Sequence, residues 1–182
     1  DVQFGISTKY SLTFCAFYNA SARRIRSYNT QSDGVKVYGP GNVFVGDDIT
    51  GFAGDDFFSV QPEEGAAFIG YQIQTGDLHQ VQLSNIHSKH SGSNANVNVY
   101  LSDTCMLYGL DIKNVGGNSL AGIGIAVQKS SGMTTGYAKR IKVSGISPNS
   151  INAVYLASGA IDHLTIEGAQ LNPHLLTSSP TI

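Results

Sequence analysis

Six segments of the chain share one shape, a short run of alternating apolar residues ending in Asn, Asp or Gly. This self-similarity constrains the fold more than any other feature. The segments are RRIRSYNT from Arg23, GNVFVGDDI from Gly41, HQVQLSNI from His79, YGLDIKNV from Tyr108, KRIKVSGI from Lys139 and DHLTIEGA from Asp162. One apolar position sets the register of each, namely Ile25, Val43, Val81, Leu110, Ile141 and Leu164. A second alternating run follows each of the first five: DGVKVYG, DDFFSVQ, ANVNVYL, AGIGIAVQ and INAVYLAS. Two short strands per repeat, joined by irregular turns, is the pattern of a β-solenoid. Each coil turns one row of side chains inward and stacks on the next at about 4.8 Å. A β-sandwich would demand tight two-residue hairpin turns, and that signal is weak here.

The composition agrees with an all-β chain. Glycine is abundant at 21 and proline scarce at 5, and no segment sustains a 3.6-residue apolar period. The 182 residues suit one domain, 1–182, and the apolar share of 41% is not that of a disordered chain. The long interval between Val43 and Val81 predicts an insertion, residues 62–77, carried by one coil. The start of the chain has no initiator Met and no signal-peptide pattern, and already reads as strand; a part of a longer or processed protein is the expectation. Charged residues are only 13%, net charge is −2, and there is no basic block, which excludes a nucleic-acid footprint. No apolar stretch approaches the ~20 residues of a membrane span.

The pair SDGVKV and GDDFFSV resembles the site motifs of polygalacturonase-type glycoside hydrolases, whose fold is a right-handed, single-stranded parallel β-helix of the pectin-lyase-like kind. Phage tailspike depolymerases, which digest bacterial capsule or lipopolysaccharide, use the same solenoid. The family's first motif is Asn-Thr-Asp-Gly and its second Gly-Asp-Asp, one coil apart. Ser32, Asp33 and Gly34 match the end of the first; Gly54, Asp55 and Asp56 match the second. The resemblance implies catalytic carboxylates at Asp33, Asp55 and Asp56, with Lys36, Tyr38, Phe58, Glu63 and Glu64 contacting substrate. It further implies a homotrimer on a virion tail or a secreted enzyme, acting on bacterial capsular or lipopolysaccharide glycan without a cofactor. The family's Gly-His-Gly is missing, EEGAAF standing roughly in its place, and Gln31 replaces its Asn. The spelling of its Arg-Ile-Lys occurs at Arg140, Ile141 and Lys142, but on the other strand row.

Hydrolysis of a glycosidic bond needs one carboxylic acid to protonate the leaving oxygen and one carboxylate to activate water or attack. Crowded carboxylates raise at least one pKa and so supply the acid. Asp55 or Asp56 would be that acid, the other working on water with Asp33. Against this, Asp-Gly and Gly-Asp are common turn dipeptides, and GDDIT at Gly46 repeats the pair without a partner. Glu63 and Glu64 are equally an acidic turn. The aromatic residues Tyr28, Tyr38, Phe58, Tyr71 and Tyr100 are candidate sugar platforms or stacked core residues. His79, His87 and His90 match no zinc spacing, HSKHSG reading as a polar loop, so no metal site is expected.

Two alternatives stay open. One is a β-elimination lyase with Lys36, Arg140 or Lys142 as base and calcium on Asp47, Asp48, Asp55 and Asp56. The other is a non-catalytic glycan-binding or spacer solenoid. Cys15 and Cys105, about three coils apart, are too distant for a disulfide and are expected as buried thiols.

Overall fold

A computed structural model describes residues 2–4, 11–29, 31–62, 76–91, 95–119, 123–146 and 152–169. The chain makes β1 (Val2–Phe4), β2 (Leu12–Phe14), β3 (Phe17–Asn29), β4 (Val35–Tyr38), β5 (Gly41–Ala53), β6 (Phe58–Gln61) and β7 (Leu78–Ser91). It continues through β8 (Ala95–Leu101), β9 (Leu110–Ser119), β10 (Ile123–Lys129), β11 (Tyr137–Ile146), β12 (Asn152–Leu156) and β13 (Ala160–Ala169). Odd-numbered strands form one sheet, β1-β3-β5-β7-β9-β11-β13, and even-numbered strands another, β12-β10-β8-β6-β4-β2. All named pairs are parallel. The chain therefore visits one sheet, crosses to the other, and returns beside its previous pass. Among the described residues there is no helix long and apolar enough to cross a membrane.

The alternating residues explain why the two sheets face each other. In the even sheet Val35, Phe58, Val97, Ile125 and Val154 align across five strands, and Val37, Val60, Val99 and Val127 form the next inward row. All of these are buried. Each such side chain contributes about 1.5–3 kcal/mol over an exposed one. β-Branched residues dominate because a pleated, stacked surface suits their restricted χ1.

The expected inward row of the odd sheet needs correction at two positions. Val81, Leu110, Ile141 and Leu164 do stand in register. Phe44, not Val43, is the residue of β5 in that row, and Ala20, not Ile25, is the residue of β3. Ile25 belongs to a parallel inward row, with Ile49, Ile86, Val115 and Ile146. Leu164 is 37% exposed because β13 is the last strand of its sheet among the described residues.

A bend between the two rows accounts for the error at Ile25. Arg24, Asp48, Asn85 and Asn114 all have positive φ near 50°, and Gly145 and Gly168 continue the column. Each odd strand from β3 to β13 thus turns a corner at one left-handed residue, which shifts its inward periodicity. Asn and Asp tolerate that conformation and bond across coils. Asn114 Nδ2 donates to Asn85 Oδ1 at 3.0 Å, and Asn85 Nδ2 donates to Asp47 Oδ1 at 2.8 Å. The Asp47-Asp48 pair is therefore part of a corner, with Arg26 held on Asp48 at 3.2 Å. Farther along, Gly51 and Gly117 sit so close to the preceding coil that a Cβ would lie 1.7 Å from the carbonyl oxygens of Ser27 and Ser88.

HSKHS is strand, the end of β7, rather than a polar loop. Of the expected insertion at 62–77, residues 63–75, including Glu63, Glu64 and Tyr71, lie outside the described residues. Cys15 and Cys105 form no disulfide; Cys105 is buried and Cys15 only half-buried.

Candidate active site

The carboxylates are brought together by the stacking of β4 on β6. Val35 pairs with Phe58, so the residues entering the two strands also run side by side. The Gly34 amide donates to the Asp56 carbonyl at 3.0 Å, and the amides of Gly54 and Asp55 donate to the Ser32 carbonyl at 3.0 and 3.3 Å. Gly34 is required by this close approach: a Cβ there would lie 2.6 Å from the Phe57 carbonyl oxygen. As a result, oxygens from Asp33, Asp55 and Asp56 lie within 4.8 Å of one another. The cluster is the one group of its kind among the described residues.

Its surroundings are polar and mostly buried. Asp33 and Asp56 are 4% and 1% exposed, whereas Asp55 is half-buried. The three do not share one open groove, because the polar face of the even sheet, with Lys36, Ser59 and Asn98 beside them, is itself buried. Lys36 Nζ pairs with Asp33 Oδ2 at 3.0 Å and lies 5.2 Å from the Tyr38 ring centroid and 5.9 Å from that of Tyr100. Ser59 Oγ stands within hydrogen-bond distance of Asp33 Oδ2 (3.2 Å) and Asp56 Oδ2 (3.4 Å). From the next coil, Asn98 Nδ2 lies 3.0 Å from both Asp56 oxygens, and the Tyr100 hydroxyl donates to Asp56 Oδ2 at 2.8 Å. Gln128, one coil farther, donates to Asn98 Oδ1 at 3.1 Å.

Burial and the neighbouring Asp33 charge push Asp56 up to about 6, against the opposing hydrogen bonds from Asn98 and Tyr100. Burial also raises Asp33, and the Lys36 ammonium opposes it. Burial and Asp56 raise the Tyr100 phenol, which stays a hydrogen-bond donor. The arrangement thus holds one carboxyl that carries a proton under mildly acidic conditions beside another with access to solvent. Those are the ingredients of acid–base chemistry.

The remaining expected site residues divide. Lys36 joins the cluster, but as the buried partner of Asp33. Phe58 points into the core, 6.2 Å from the Phe44 ring, and Tyr38 has no exposed surface, so neither offers a face to a sugar. Tyr28 packs on Phe52 at 5.3 Å. Arg140 and Lys142 lie on β11 in the other sheet, paired with Asp111 and Glu167, so they are not lyase bases at these aspartates. Asp47 and Asp48 are likewise in the other sheet and do not join Asp55 and Asp56 around a cation. His79 stacks on Tyr108 with ring centroids 4.8 Å apart.

Sequence reasoning missed Ser59, Asn98 and Gln128, and gave Tyr100 a different role. The signal that finds the first two is register. Lys36, Ser59 and Asn98 occupy one cross-strand column, opposite in sense to the valines. The strand beside β6 in the even sheet is β8, and it supplies Asn98 and Tyr100 to Asp56. No family model, curated protein or solved structure matches the chain.

Proposed function

We propose that the protein hydrolyses glycosidic bonds of a bacterial capsular or lipopolysaccharide glycan, on a right-handed parallel β-helix of the pectin-lyase-like kind. The convergence of Asp33, Asp55 and Asp56 within 4.8 Å is the observation that carries this reading. Asp55, the accessible member, meets the sugar. Asp56, its pKa raised to about 6, keeps a proton for the departing oxygen. Asp33, held by Lys36, completes the set that takes a proton from the attacking water. Water adds across the C–O bond, and the two carboxyls exchange roles as donor and acceptor. Such an enzyme works in a virion tail or after secretion, where polysaccharide is met; the homotrimer implied by the resemblance belongs to the same proposal.

The near-complete burial of Asp33 and Asp56 favours a second reading, a polar network that is purely structural. Incubation with purified capsular polysaccharides separates these. Oligosaccharides with new reducing ends and no unsaturated terminal sugar are expected. Unsaturated termini would make it a lyase, and no products from any substrate would leave the structural role.

A further inference from the structure

A slot lies on the odd sheet at the strand starts, on the far side of β4 from the aspartates. Tyr18, Asn42 and His79 occupy one cross-strand column of β3, β5 and β7, since their flanking residues pair in register. Tyr18 is 78% exposed and His79 is also exposed, while Asn42 between them is short. The column therefore has two rings with a gap where the middle ring would be. That gap is a cavity of about 460 Å³, with Phe17 and Gly41 in its lining and Asp77 beside His79. The far face of His79 is backed by Tyr108, parallel to within 2°.

We propose that this slot binds one pyranose ring of a glycan, as an anchoring subsite separate from the aspartate cluster. Two strand spacings separate the walls by about 10 Å, so a ring seated midway lies about 5 Å from each, within the usual stacking range. Asn42 supplies an amide donor and acceptor toward ring hydroxyls. Asp77 Oδ1 already accepts from the Met106 amide at 2.8 Å, leaving Oδ2 as an acceptor. Aromatic walls with amide and carboxylate at the edge fit the apolar face and hydroxyl rim of a sugar. A flat aromatic ligand would leave those polar groups unmatched. The slot is open to solvent, so a polymer can pass through it. A glycan reaching the aspartates as well would span roughly 20 Å, the length of β4 and its flanking residues.

The test is a printed array of bacterial surface polysaccharides and their oligosaccharides, probed with the purified chain. Tyr18→Ala and His79→Ala should each lower capture at least tenfold, and Tyr18→Phe should retain it. Thermal melting of the Tyr18 variants should match the original chain, since that side chain is exposed, and His79→Ala should lose no more than its surface stack on Tyr108. No capture of any printed glycan, or capture by Tyr18→Ala equal to the original chain, overturns the proposal. The inference does not rest on hydrolysis. A chain that captures glycan through Tyr18 yet releases no products sinks the hydrolytic reading and leaves this one standing.

Discussion

Asp56 is the residue at which burial, charge and hydrogen bonding compete most directly. It loses nearly all solvent, faces Asp33, and receives hydrogen bonds from Asn98 and Tyr100. The raised pKa means that the folded chain holds a proton which the unfolded chain has released between about pH 4 and about pH 6. Stability should therefore fall as pH rises through that window, by up to about 3 kcal/mol, since each tenfold difference in proton affinity is worth about 1.4 kcal/mol. Asp33 acts in the same direction. In Asp56→Asn the amide replaces the titrating group, and the fall in melting temperature between pH 4 and pH 7 should flatten markedly. An unchanged pH profile would show that Asp56 titrates normally. The proposed hydrolysis should decline over the same range, as the proton leaves Asp56.

The corner column is the element on which the odd strands depend. Positive φ at Arg24, Asp48, Asn85 and Asn114 is not legible in the sequence, since no residue pattern marks a bend inside an alternating run. Alternation followed straight through that bend misplaces Ile25, while Val43 stands one residue from Phe44, the true member of the row. The four later anchors lie before their corners and keep the row, whereas Val43, also before its corner at Asp48, is half-buried beside the buried Phe44. The amide ladder ends at Gly145, where a Cβ would approach Asn114 Oδ1 to 2.6 Å. Gly145→Asn should be tolerated, because Asn accepts a left-handed backbone and its Nδ2 can donate to that oxygen. Gly145→Val forces a β-branched residue into φ of +63° and should cost about 1–3 kcal/mol. Thermal melts of the two variants read the contrast; equal melting temperatures would remove the ladder from the account.

At the scale of the molecule, the two-strand repeat, the segregation of first and second runs, and the motifs entering β4 and β6 are all readable in the sequence. They depend on alternation and on turn residues, which are local. Exposure is not readable, because it depends on what lies over the polar face of the even sheet. Tyr38 and Lys36, expected from the resemblance to contact substrate, are therefore buried in the fold. Packing of the whole also predicts thiol behaviour. Titration of the denatured, unreduced protein should count two thiols, and in the native protein Cys15 should react before the buried Cys105. Two unreactive thiols after denaturation would mean a bridge and a wrong coil assignment. The central claim, that stacking β4 on β6 builds a hydrolytic site, is tested most directly at Asp55. New reducing ends released from capsular polysaccharide should be measured for the original chain and for Asp55→Asn, with melting followed in parallel. The account predicts loss of at least a hundredfold in rate with melting nearly unchanged. Undiminished release of reducing ends by a folded Asp55→Asn chain would contradict it.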